Sequence, residues 1–156
     1  MARRHRADKR EVDPDLRFSN NLVAQLINNV MRRGKKTTAQ KIAYGMLDYV
    51  QEQIKVDPLE VLVRAIDNIK PKVEVKSRRV GGATYQVPVE VSAKRQMALA
   101  LRWLIQYSQL RRGVPVQKAL ALELMDAYKN QGNAIKKRDD THKMAQANKA
   151  FSHYKW

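Results

Sequence analysis

The chain has 156 residues, with 31 Lys and Arg against 15 Asp and Glu, a formal net charge of +16 at pH 7 and no cysteine. That length suits one domain with its own core, and the lack of cysteine excludes a disulfide framework and a thiolate metal site. So lopsided a charge repels itself and points to a polyanionic partner rather than to solubility alone.

The opening, MARRHRADKREVD, has no apolar stretch of the secretory kind, and no run reaches the length of a membrane span. The expectation is a cytoplasmic protein with no membrane partner. Residues 1–17 read as a basic arm with Arg3, Arg4, Arg6, Lys9, Arg10 and Arg17 and no apolar period. Asn20 or Asn21 caps a first helix with Leu22, Val23, Leu26, Ile27 and Val30 on its apolar face, and Gly34 ends it. A second helix carries Ala39, Ile42, Ala43, Met46, Leu47, Val50 and Ile54 at helical spacing. A third begins at Asp57-Pro58-Leu59-Glu60, where aspartate caps, proline takes the first turn and Glu60 can close a capping box; Pro71 stops it.

After a segment of different character, Ser92 caps a fourth helix with Met97, Leu101, Leu104 and Ile105 inward, broken by Gly113. Pro115 opens a fifth with Ala119, Leu120, Leu124, Ala127 and Tyr128, closed by Gly132. The last helix is predicted to start at Asp139 or Asp140, whose charges suit a helix N-terminus, and to carry Met144, Ala147 and Phe151. The predicted fold is all-α: a six-helix bundle with a protruding two-stranded β-hairpin inserted over 72–91 and a basic N-terminal arm, a single domain over 1–156.

The inserted segment, KVEVKSRRVGGATYQVPVEV, alternates where the rest of the chain has a helical period. A two-residue Gly81-Gly82 turn would put Val75 opposite Pro88 and Val73 opposite Glu90, splitting the valines between faces. A three-residue Gly81-Gly82-Ala83 loop would gather Val73 and Val75 with Tyr85, Val87, Val89 and Val91, so the hydrophobic pattern predicts the longer loop. The opposite face then reads Lys72, Glu74, Lys76 and Arg78, with Arg79 near the tip. Arg78, Arg79 and Tyr85 around the glycines suit phosphates and stacked bases, although an ordinary β-arm with a solvated face would read the same way.

The other cations cluster. RRGKK supplies Arg32, Arg33, Lys35 and Lys36 between two helices; Lys94, Arg95 and Arg102 lie along the fourth helix and Arg111 and Arg112 at its end; Lys136, Lys137 and Arg138 precede the predicted last helix. From Asp48 to Asp67 the balance reverses, with Asp48, Glu52, Asp57, Glu60 and Asp67 against Lys55 and Arg64. A basic front and an acidic back fit a nucleic acid, and basic loops around a bundle suit a folded RNA better than a duplex groove. Tyr154 and Trp156 could stack on bases or dock on the protein itself. Nothing supports catalysis: His5, His142 and His153 are far apart, and Gly81-Gly82 lacks the lysine and helix of a phosphate loop. No cofactor, metal or small-molecule substrate is expected.

MRRGKK, KPKVEVKSRRVGGATYQVPVEV, ALRWL and MAQANKAFSHYKW together make the chain resemble the bacterial-type small-subunit ribosomal protein seven family, nearly end to end. The resemblance implies a helical fold with a protruding hairpin and a primary binder of small-subunit rRNA that nucleates assembly of the head domain. It implies that the hairpin reaches toward the messenger and the exit-site tRNA, through Arg78, Arg79, Gly81, Gly82 and Tyr85, and that neighbouring small-subunit proteins are partners. Basic positions carried over for rRNA are Arg3, Arg4, Arg6, Arg10, Arg32, Arg33, Lys35, Lys36, Lys76, Lys94 and Arg95, to which the charge clusters add Arg102, Lys136 and Lys137. The segment 107–118 follows the family loosely, and Thr141 stands where an apolar residue is more usual. The alternative to this reading is an architectural DNA-binding protein.

Overall fold

The computed structural model describes residues 11–154. Arg3, Arg4, Arg6, Lys9, Arg10 and Trp156 lie outside the described residues. Among those described, the order is α1 (Asn21–Val30), α2 (Lys36–Ile54), α3 (Pro58–Ile69), β1 (Val73–Val80), β2 (Ala83–Glu90), α4 (Ala93–Gln109), α5 (Val116–Tyr128), α6 (Asn133–Ala147) and a 3-10 segment, Lys149–Tyr154. The protein is thus mostly helical with one antiparallel hairpin.

Helix α5 occupies the middle, packed on α2, α3 and α4. It buries Ala119, Leu120, Ala121, Leu124 and Ala127, and its alanines let three neighbours approach closely. Those neighbours fill the core with Met46, Leu47, Leu62, Ile66, Ile69, Leu101 and Leu104, all at most 1% exposed. Each such side chain contributes roughly 1.5–3 kcal/mol by leaving water.

Side-chain caps from the preceding residue open two of the helices, α1 and α3. Asn20 accepts from the Leu22 N–H at 2.7 Å, and Asp57 accepts from the Leu59 N–H at 3.0 Å with Pro58 in the first turn. Two expected caps differ. Glu60 is exposed and closes no reciprocal box. The Ser92 side chain makes no capping bond, while Gln96 donates back to the Val91 carbonyl at 2.9 Å. Helix α1 stops at Val30, and Gly34 (φ +74°) instead shapes the turn into α2 together with Arg33 (φ +53°).

The last helix begins at Asn133, six residues before Asp139. Sequence reading looked for an acidic residue near its own helix N-terminus; here the acid comes from another helix. The Glu123 carboxylate of α5 accepts from the Ala134 N–H at 2.9 Å. Ala134 and Ile135 are then buried, at 0% and 4% exposed. Lys136 and Lys137 therefore sit on the first turns of α6 rather than in a loop before it.

The hairpin also corrects its prediction. Val80 pairs with Ala83, Val75 with Pro88 and Val73 with Glu90, so the turn is the two residues Gly81-Gly82. Both glycines have positive φ, +57° and +89°, the backbone of a tight hairpin turn whose twist matches its strands. The valines are split: Val87 is fully buried beside Glu74, at 9% exposed, whereas Val73 and Val75 lie on the other face, half-buried. Turn chemistry prevailed over alternation because the inward face is held by an ion pair and an aromatic cluster rather than by a row of valines.

Candidate nucleic-acid interface

The α1–α2 turn presents Arg32, Arg33, Lys35 and Lys36, all exposed. Two left-handed residues make the turn tight enough to bring these four cations onto one corner. Arg32 is oriented by donating Nη2 to Gln109 Oε1 at 2.9 Å, which joins this corner to the end of α4. On α4, Lys94, Arg95 and Arg102 are exposed, and Arg95 and Arg102, two turns apart, share a side. Lys94 borders a groove of ≈ 740 Å³ between α1 and α4, whose other wall carries Asn21, Gln25 and Asn29. Sequence reading missed those amides; their recurrence at every fourth position was the available signal. Lys136 is exposed at the start of α6 and Lys137 is half-buried.

In the hairpin the expected contact residues divide. Arg79, Gly81 and Gly82 are exposed at the tip. Arg78 and Tyr85 are paired across the strands and half-buried on the inward face, contrary to the expectation that they project. The Tyr85 ring packs at 5.3 Å from Phe151 and 5.2 Å from Tyr154. Tyr154 thus docks on the protein's own hairpin, and Phe151 is half-buried in the 3-10 segment rather than core of α6. Glu74 draws Arg95 Nε to 2.8 and 2.9 Å of its two oxygens and Lys76 Nζ to 3.5 Å, so two expected phosphate binders share a carboxylate. At the base, the Lys72 N–H donates to His142 Nε2 at 3.0 Å. Partial burial, then the nearby Arg138 and Lys72 charges, hold the imidazole below its ordinary pKa despite Asp139.

Other arginines serve the fold. Arg17, in the expected arm, grips Asp48 with two hydrogen bonds at 2.7 and 3.0 Å and lies over the Phe18 and Tyr44 rings. Arg111 binds Glu123 at 2.6 Å and also Asp126. Burial works against the Arg111 charge, but the two carboxylates outweigh it and its pKa is raised. Arg138 binds Asp139 and the Asn68 carbonyl. Glu52, near the end of α2, Asp57, at the start of α3, and Glu60 and Asp67 on α3 are all exposed. Among the described residues, no group of His, Asp and Glu is placed to hold a metal ion, and no helix is long and apolar enough to cross a membrane.

A family model described as ribosomal protein S7p/S5e matches residues 2–149. A protein from Anaeromyxobacter dehalogenans named small ribosomal subunit protein uS7 is 58% identical over 156 residues, covering all of both chains. Proteins of the same name from Sorangium cellulosum and Thermotoga maritima are 56% identical over 156 residues and 55% over 154, covering at least 99% of each chain. With identity at that level from end to end, the chain belongs to the ribosomal protein S7p/S5e family.

Proposed function

We infer that the chain is a structural, non-enzymatic constituent of the small ribosomal subunit, an rRNA-binding protein of the bacterial cytoplasm. The observation that carries this is the end-to-end identity with proteins named small ribosomal subunit protein uS7. The exposed cations fit it. Arg32, Arg33, Lys35, Lys36, Lys94, Arg102 and Lys136 neutralise rRNA phosphates and release their counterions, with Lys137 half-buried beside them. Lys76 and Arg95 contribute less charge because Glu74 compensates them. Arg3, Arg4, Arg6 and Arg10 extend the same contact along the arm. In this reading the protein nucleates the head of the subunit by holding rRNA segments against a rigid helical body, beside neighbouring small-subunit proteins.

The hairpin tip, Arg79 with Gly81 and Gly82, reaches toward exit-site tRNA and messenger. Arg78 and Tyr85 support the tip from the inward face. Two measurements test the assignment. With six to ten phosphate contacts, affinity for small-subunit rRNA falls about 10³- to 10⁵-fold between 50 and 200 mM salt, and duplex DNA competes poorly; a salt-insensitive affinity, or equal affinity for duplex DNA, would overturn it. Arg79→Ala leaves the melting temperature unchanged and weakens exit-site tRNA binding by reconstituted subunits; unchanged tRNA binding would remove the tip from that role.

A further inference from the structure

Between the basic arm and α1 the chain forms a tight clamp. Asp15 is a carboxylate at the foot of a cationic segment, yet it is only 6% exposed. Its Oδ2 accepts from the Arg17 and Phe18 N–H groups at 3.0 and 3.2 Å, and its Oδ1 from the Tyr44 hydroxyl of α2 at 2.7 Å. Its carbonyl accepts from the Ser19 N–H at 2.8 Å, and Ser19 takes a positive φ of +48°. Burial, and then the bond to Asp15, raises the Tyr44 pKa, so the phenol keeps its proton and stays the donor. Arg17 is tied to the same helix through Asp48. Leu16, inside the turn, is 91% exposed, so polar bonds and the packing of Phe18 hold this turn rather than a row of buried side chains. A carboxylate taken out of water needs such partners, and here they converge on a segment that is neither helix nor strand.

We infer that Asp15 and Tyr44 are positioning residues for the arm: they fix where it leaves the body, so that its cations meet RNA in register with those of the helical body. The geometry around the clamp supports this. Just upstream, Glu11 and Val12 border the groove between α1 and α4, beside Asn21 and Lys94. Residues 11–16 also run beside Lys36 of the α1–α2 corner. The arm, with Arg3, Arg4, Arg6, Lys9 and Arg10, therefore joins the body between two sets of exposed cations. Without the clamp it would swing from the α1 cap at Asn20, and binding would first have to order the freed segment. Neither Asp15 nor Tyr44 touches the ligand in this assignment. The inference rests on the rRNA-binding reading.

The test is a double-mutant cycle on the full chain. Tyr44→Phe removes one hydroxyl and leaves the ring packing; Asp15→Asn removes the charge and replaces one acceptor oxygen by a donor. Each is made in the native chain and in an arm-neutral chain carrying Arg3→Gln, Arg4→Gln, Arg6→Gln, Lys9→Gln and Arg10→Gln. Affinity for a small-subunit rRNA transcript is measured across a salt series. Neutralising the arm is expected to lower the slope of log affinity against log salt by about three to five. In the native chain Tyr44→Phe is expected to lower affinity about threefold and Asp15→Asn about tenfold, the scale of ordering a few freed residues. In the arm-neutral chain neither changes it, because the clamp then has no charged arm to direct. The chain has no cysteine, so His5→Cys carrying an iron chelate gives a second readout: cleavage of the transcript, confined to one site in the parent, should spread in both variants. Equal losses with and without the arm's charges overturn the positioning role, since the clamp then serves the body alone. Full affinity of Asp15→Asn in the native chain, or a cleavage site that stays confined, also overturns it. An unchanged slope in the arm-neutral chain overturns the arm's phosphate contacts and the positioning role with them, while a steep slope in that chain still upholds rRNA binding by the body.

Discussion

Glu123 and Glu74 are each buried against an arginine, but they belong to regions of opposite character. At the α5–α6 corner Glu123 is fully buried, binds Arg111 with one oxygen and caps α6 through the Ala134 N–H with the other. Both carboxylate oxygens are used, and Glu123 itself is shut off from water while Arg111 stays partly exposed. In the hairpin, Glu74 is nearly as buried, but its partners Arg95 and Lys76 are about half exposed. There the carboxylate moderates two cations without withdrawing them from solvent. One glutamate holds tertiary structure; the other sets how much charge the surface presents.

The largest effect that could break this contrast is Glu123→Ala. It leaves Arg111 with Asp126 as its one remaining carboxylate and uncaps α6, and a loss of about 2–4 kcal/mol in urea unfolding is expected; a loss below 1 kcal/mol would make the two sites equivalent. Next comes Gly132→Ala. Gly132 has φ +93°, and an added Cβ would lie 3.0 Å from Asp126 Cβ and 3.2 Å from Glu123 Oε1. Strain and crowding together cost about 1–3 kcal/mol, read as a lowered melting temperature. Glu74→Ala is milder for stability, about 1 kcal/mol or less after solvent screening of its exposed partners. It acts oppositely on binding: with Arg95 and Lys76 released, the salt slope of rRNA binding steepens by about one to two. A shallower slope would mean that Glu74 orients these cations rather than moderating them.

The smallest effect concerns pH at the hairpin base. His142 has its folded pKa below the ordinary 6.5. The unfolded chain therefore takes up the proton first. The stabilising contribution is fully present above pH 6.5 and is lost as pH falls through the lower folded value. Protonation also removes the acceptor used by the Lys72 N–H. Hydrogen exchange at Lys72 should lose protection on acidification from pH 7.5 to 5.5, beyond any change at the α5–α6 corner. Equal loss at both places would mean that the hairpin base has no pH response of its own.

Much of this was legible before any coordinates. The apolar periods of α1, α2, α3 and α5 carry their own evidence because a helix is a local structure, and so do the Asn20 and Asp57 caps. The cationic corner at 32–36 was equally plain. The start of α6 was not, since its cap is supplied by Glu123, eleven residues earlier on another helix. Nor was the hairpin register: alternation argued for the longer loop, while two glycines with positive φ and the inward Glu74 and Tyr85 decided for the shorter one.

The division follows the range of the forces. Composition and local pattern by themselves determined a mostly helical chain with one hairpin and a strong positive charge, and the likeness of whole motifs to a known family pointed to its membership. Only the tertiary structure decided which cations are committed. Arg17 is held by Asp48, Arg95 by Glu74 and Arg111 by Glu123, across 31, 21 and 12 residues of chain. An arginine left exposed on a corner and one held in an ion pair look the same in a sequence. What separates them is desolvation and the arrival of a carboxylate from a distant segment, and both exist only once the chain has packed.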